Sequence, residues 1–159
     1  DVFPGTIAPV SGWGQRNWKN ILARYDALGV SRKKLVLSVP FYGYEWPTAT
    51  GELGSTTRGP GETISYSSRG ARYASTIRYA AKERAAKFGL KRDVVSGSPY
   101  YTFQTANGWF QGWFEDQVSL AKKYQFIKQN GLGGVAVFVP GYDDGVLTAG
   151  LKQAFPGVR

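Results

Sequence analysis

The sequence contains neither cysteine nor histidine among its 159 residues. Without cysteine there is no disulfide framework and no thiolate metal site. Without histidine, the usual base of a serine hydrolase and the commonest metal ligand are both missing. Acid–base work would fall to Asp, Glu, Tyr or Lys, and the residues present call for no cofactor and no metal. No stretch approaches the roughly 18 apolar residues of a membrane span. The chain opens at Asp1 with neither an initiating methionine nor a signal peptide, as in a processed product or a part of a longer polypeptide. The formal net charge is +9, yet Lys and Arg nowhere form a run of five. That spread reads as a solvated basic surface rather than a nucleic-acid footprint. The length suits one domain or a piece of a larger one.

What the chain has in quantity is aromatic surface: ten Tyr, nine Phe and five Trp. Many of these lie beside Gly and Pro instead of inside periodic segments. The organising stretch is GLGGVAVFVPGYDD, Gly131 to Asp144. Its run Val135 to Val139 lacks polar alternation, the pattern of a strand buried on both faces in a helix-covered parallel sheet. A second such run, Leu35 to Val39, ends at Pro40. In a barrel of parallel strands the C-terminal strand ends carry the site. Here those ends deliver Phe41, Tyr42, Gly43, Tyr44, Glu45 and Trp46 in one case, and Tyr142, Asp143 and Asp144 in the other. The first cluster is either a hydrophobic plug under a loop or a sugar-stacking wall.

Helical spacing predicts a helix over Asn17–Leu28 with Asn17 as cap and Gly29 at its end. A second is predicted over Tyr73–Phe88. A third runs over Ser119–Gln129, or from Gln117 with Asp116 as cap, and a short one over Leu147–Phe155. Thr63–Ser67 alternates as a strand would. Val94–Phe103 and Gly108–Asp116 read as a hairpin turning at Ala106, Asn107 and Gly108. Thr48–Gly61 reads as an exposed loop. The middle third is therefore α+β in character between two α/β steps.

Two blocks, KKLVLSVPFYGYEW and WFEDQVSLAKKYQFIKQNGLGGVAVFVPGYDDG, stand in the order found in glycoside hydrolase family 18, the chitinase-like enzymes, which the chain resembles from about Ile7 to Phe155. Leu35–Trp46 resembles that family's seventh barrel strand with its Pro-Phe-Tyr-Gly signature. Trp113–Asp143 resembles the segment running into the eighth strand. The resemblance implies an α/β fold: residues 1–159 as the C-terminal portion of a (β/α)8 TIM-type barrel, its last two strands and their helices, with a small α+β insertion at about 48–116. It also implies a secreted or cell-surface setting. The partners expected are chitin or N-acetylglucosamine oligosaccharide and the remainder of the barrel, in the same polypeptide, a second chain or a further copy; no nucleic acid and no membrane.

The family's catalytic D-x-x-D-x-D-x-E signature is absent from the sequence. The family hydrolyses with substrate assistance, and neither the acid nor its preceding Asp is assignable here. What the resemblance carries over is a binding wall of Tyr42, Trp46 and Phe138, with Tyr100 and Asp143 offering hydrogen bonds at its rim. Phe138 stands where the family has a Trp, and a Phe ring is smaller and lacks the indole donor. Glu45, Glu115 and Asp143 are the carboxylates nearest the wall, each equally readable as a solvated or capping group. This chain by itself is expected not to hydrolyse chitooligosaccharides. The expected function is the sugar-binding part of a chitinase-like hydrolase acting on β-1,4-linked N-acetylglucosamine polymers. Alternatives are a non-catalytic carbohydrate-binding relative and a basic module for anionic polymers.

Overall fold

The computed structural model describes residues 3–69 and 77–157. The elements in order are α1 (Trp18–Ala27), β1 (Val36–Pro40), β2 (Tyr42–Thr48), β3 (Glu62–Ser65), α2 (Ala81–Phe88), β4 (Lys91–Arg92), β5 (Pro99–Thr105), β6 (Gly108–Trp113), α3 (Gln117–Gln129), β7 (Gly134–Phe138) and α4 (Val146–Ala154). They build two sheets. β1 and β7 form a parallel pair, and β3-β2-β6-β5-β4 form an antiparallel sheet. The fold is mixed α/β, and among the described residues no closed barrel is present.

Local chemistry explains the helix starts. Asn17 accepts a hydrogen bond from the Asn20 amide at 3.0 Å and so caps α1. Asp116 caps α3 in a reciprocal box with Ser119, satisfying orphan amides at the helix start. Arg92 grips the same Asp116 carboxylate at 2.6 Å. Residues 73–76 of the helix expected over Tyr73–Phe88 lie outside the described residues. Of the remainder, only Ala81–Phe88 is helical. Ser65 donates its amide to the Tyr79 carbonyl and Ala80 bridges to Ser65. That pairing holds the preceding residues extended against β3, and the helix begins only once it ends.

Two further expectations change. The aromatic cluster after Pro40 is not a loop: Tyr42–Thr48 is β2, an inner strand of the antiparallel sheet. Gly43 allows this, because a Cβ there would run into the Trp113 carbonyl and Phe114 on the neighbouring strand. The segment after β2 is also not a free loop. It bridges back through Thr48 and Thr57, and Arg58 donates to the Thr48 carbonyl at 2.7 Å.

β1 and β7 do not have both faces buried. Each pairs only with the other among the described residues, and Val36 is 56% exposed. Apolar strands of this kind ordinarily belong to covered parallel sheets. The main core lies between the sheets and helices. It joins Trp18 and Leu22 of α1, Val39 and Phe41 beside β1, Ile64, Tyr101 and Phe114, Leu120 and Ile127 of α3, and Leu147 of α4. A separate aromatic cluster of Trp46, Tyr100 and Trp113 lies on the other face of the antiparallel sheet, with Trp13 and Tyr44 packed against it.

Candidate functional site

Strand alternation sorts β2 into two faces. Tyr42, Tyr44 and Trp46 point one way; Gly43, Glu45 and Pro47 point the other. With Phe138 at the end of β7, the first set forms a continuous row of rings. Centroids lie 6.0 Å apart for Phe138 and Tyr42, 5.6 Å for Tyr42 and Tyr44, and 5.4 Å for Tyr44 and Trp46. The row crosses from the parallel pair to the antiparallel sheet. Edge-to-face contacts of this kind hold rings at fixed angles, so the row is a rigid surface.

The members differ in exposure. Phe138 is 62% exposed, whereas Trp46 keeps only 6% of its surface. Tyr42 and Tyr44 are half-buried. Burial raises the Tyr42 hydroxyl pKa, with the neighbouring Tyr44 acting in the same direction. Both phenols are therefore neutral donors at physiological pH. A cavity of about 630 Å³ opens beside the row, lined among others by Phe3, Trp13, Arg16, Tyr44, Trp46 and Gly54.

Of the residues singled out in the sequence, Tyr42 and Phe138 are in direct ring contact and Trp46 joins them through Tyr44. Tyr100 is not in the row. It lies flat against the buried Trp113 at 4.7 Å and supports it from β5. Asp143 is also not in the row. Its carboxylate accepts from the Gly145 and Thr148 amides at 3.1 and 2.9 Å and from the Thr148 hydroxyl at 3.3 Å, which ties it to the start of α4. Tyr44, Trp13 and Trp113 were missed. For Tyr44 the available signal was the strict aromatic alternation Tyr42-Tyr44-Trp46, which fits a strand better than a loop. Trp13 stands alone in a glycine-rich loop and gives no periodic signal.

The carboxylates near the wall are engaged elsewhere. Glu45 lies on the opposite face of β2, where Tyr101 donates to it at 2.7 Å and Arg84 approaches at 3.4 Å. Burial raises its pKa against the pull of both partners. Glu115 pairs with Lys123 at 2.9 Å inside the core. Among the described residues no three His, Cys, Asp or Glu side chains converge to hold a metal ion. The arrangement is thus a flat apolar row beside a cavity, fitted to stack against ring-shaped ligands rather than to exchange protons with them.

Comparison with known proteins gives three likenesses. The probable chitinase 10 of Drosophila melanogaster is 27% identical over 150 residues, covering 88% of this chain and 6% of that protein. A family 18 chitinase from Cycas revoluta, solved in complex with (GlcNAc)3, superposes with a TM-score of 0.74 at 20% identity, covering 97% of this chain and 42% of that one. Human YKL-39, described as a pseudo-chitinase with retained chitooligosaccharide binding, superposes at 0.76 with 21% identity, covering 97% and 46%. The chain thus spans less than half the length of each of these relatives. The pattern of glycosyl hydrolases family 18 matches residues 1–143 of the 159, and the chain belongs to that family.

Proposed function

We propose that these residues are the C-terminal portion of a chitinase-like (β/α)8 barrel, with β1 and β7 as its last two barrel strands and the segment at about 48–116 as an inserted α+β unit. Their contribution is the aromatic wall of a cleft for β-1,4-linked N-acetylglucosamine polymers. Tyr42, Trp46 and Phe138 are its platforms, joined by Tyr44. Tyr100 acts through Trp113, and Asp143 acts by fixing the start of α4 behind the end of β7. The open edges of β1 and β7 and the exposed Val36 support a covering partner, the remainder of the barrel. A secreted or cell-surface protein fits this role.

The observation that carries the proposal is the row of four rings from Phe138 to Trp46, each within 6.0 Å of the next. Pyranose rings present apolar C–H faces that stack on such surfaces. The test is titration of chitooligosaccharide into the complete gene product. Tyr42→Ala should weaken binding, whereas Trp18→Ala, in the α1 core, should lower stability without a selective loss of affinity. Equal affinity for Tyr42→Ala, Tyr44→Ala and wild type would sink the proposal.

A non-catalytic, sugar-binding relative is the second reading. It is favoured by Phe138 at the position of the family's Trp and by the likeness to a pseudo-chitinase. Turnover of chitooligosaccharide by the complete gene product rules it out; binding without turnover supports it.

A further inference from the structure

Trp13 has an unusual backbone. It is the one non-glycine residue with a positive φ among the described residues, at 52°, between Gly12 at 69° and Gly14 at 81°. A bulky side chain in the left-handed region is disfavoured unless its surroundings hold it there. Four separate contacts do so. The Asn17 amide group donates to the Gly12 and Gly14 carbonyls at 3.1 and 2.8 Å, clamping the loop on either side of Trp13. The indole N–H donates to Asp93 Oδ2 at 2.7 Å. The ring meets Trp113 edge-on, with centroids 5.1 Å apart at 75°. Gly5 lies against the ring so closely that any Cβ there would overlap it.

Asp93 is itself held. It is buried, and the oxygen that takes the indole N–H also accepts from the Ser96 amide at 2.7 Å and the Ser96 hydroxyl at 2.6 Å. A charged acceptor with three donors in place fixes the angle of the indole. A tryptophan serving only to fill a core would be covered. Trp13 is half-buried, and it lines the cavity it shares with Tyr44 and Trp46. Its one polar atom is already bonded to Asp93, so what it offers the cavity is apolar π surface. The volume of about 630 Å³ falls within the roughly 300–1,000 Å³ usual for small-molecule sites.

We propose that this cavity is a subsite for one neutral hexosamine ring, with Trp13 as its platform and Asp93 as the residue that positions Trp13. Arg16, which also lines the cavity, supplies N–H donors for the sugar's hydroxyl or acetamido oxygens. The subsite extends the cleft described above and rests on that reading. It lies at the Trp46 end of the ring row, away from Phe138. It is therefore filled only by oligosaccharides long enough to pass Tyr42 and Tyr44.

The experiment compares short and long N-acetylglucosamine oligosaccharides on the complete gene product. Trp13→Ala should weaken the long ligand roughly 5- to 150-fold, the loss of one stacking platform, and leave the short one unchanged. Asp93→Asn retains an oxygen acceptor for the indole and should bind like wild type, whereas Asp93→Ala should reproduce part of the Trp13→Ala loss. That split by chain length is a signature a purely structural residue would not give. In case Trp13→Ala does not fold, saturation transfer between the long ligand and the Trp13 ring protons is measured on the wild-type protein, where it should be present. Wild-type affinity of Trp13→Ala for the long ligand, or no transfer to Trp13, overturns the subsite. If Tyr42→Ala still loses affinity then, the cleft itself stands; if neither variant loses any, the cleft falls as well.

Discussion

Lys123 Nζ lies 2.9 Å from Glu115 Oε1, and the two side chains keep only 2% and 1% of their surface. The pair joins the residue before the α3 cap to the middle of α3. It is a charge couple with almost no access to water. The Ser98 hydroxyl adds a longer contact to the same Glu115 oxygen at 3.4 Å.

Removing one partner leaves an uncompensated charge in the core. Lys123→Met alone should cost about 3–5 kcal/mol. Lys123→Met combined with Glu115→Leu should recover most of that loss, because well-packed apolar replacements of buried pairs are often neutral. Urea unfolding of the two single variants and the double variant measures the coupling; additive losses would mean that the pair is not coupled.

Two carboxylates should respond to pH with opposite signs. Burial opposes ionisation of Asp116, but hydrogen bonds from Arg92 and Ser119 outweigh it and hold its pKa below the ordinary 3.8. Its contribution is present above that value and lost as pH falls through the lower folded one. Asp116→Asn should therefore reduce stability at neutral pH and matter less in acid. Glu45 is the reverse, since burial raises its pKa above 4.5. Its favourable contribution is present below that value and fades as pH rises through the folded one. Glu45→Gln should consequently gain on wild type between acid and neutral pH. Melting temperatures across pH 3 to 8 (roughly the range both shifts span) check both signs.

Phe138 and Trp46 sit at opposite ends of the ring row and should fail differently. Phe138→Ala removes an exposed ring, so oligosaccharide affinity should fall while the melting temperature holds. Trp46→Ala should weaken binding by about 1–3 kcal/mol and also lower stability, because Trp46 is nearly covered. Phe138→Trp should strengthen binding, or leave it unchanged where the pocket has closed around the smaller ring. Calorimetric titration alongside thermal melts separates the cases.

The parallel pair β1–β7 exposes its outer strand edges. Such edges and bare apolar faces invite pairing with another chain. The 159-residue chain alone should self-associate, and sedimentation velocity reads this directly. A well-folded monomer across the concentration range would mean that the pair needs no cover.

The parts legible in the sequence were those with local signals. Asn17 and Asp116 announced their helices through cap chemistry, and the hairpin turn at Ala106 and Asn107 followed from its flanking alternation. β2 was hidden because Pro40 reads as a strand end and the aromatics after it read as a loop. In the structure the chain leaves one sheet at Pro40 and enters the other two residues later. Asp143 was read toward the wall, but the Thr148 amide and hydroxyl five residues on offered nearer partners. Trp13 was invisible for a different reason. Asp93, which orients it, lies 80 residues away, and no local pattern encodes so distant a bond.

The two-faced character of β2 has a consequence for how this protein can vary. Odd positions and even positions of the strand serve different masters: Tyr42, Tyr44 and Trp46 serve the cleft, while Gly43 and Glu45 meet Trp113, Phe114 and Tyr101 on the far side. Sliding the strand by one residue would bring Glu45 out toward the ligand and drive Tyr44 at the Trp113 carbonyl. Lineages of this chain can exchange one ring for another here, as Phe138 exemplifies on β7, but a single-codon insertion or deletion inside β2 inverts the cleft. Only paired length changes keep the same letters facing out.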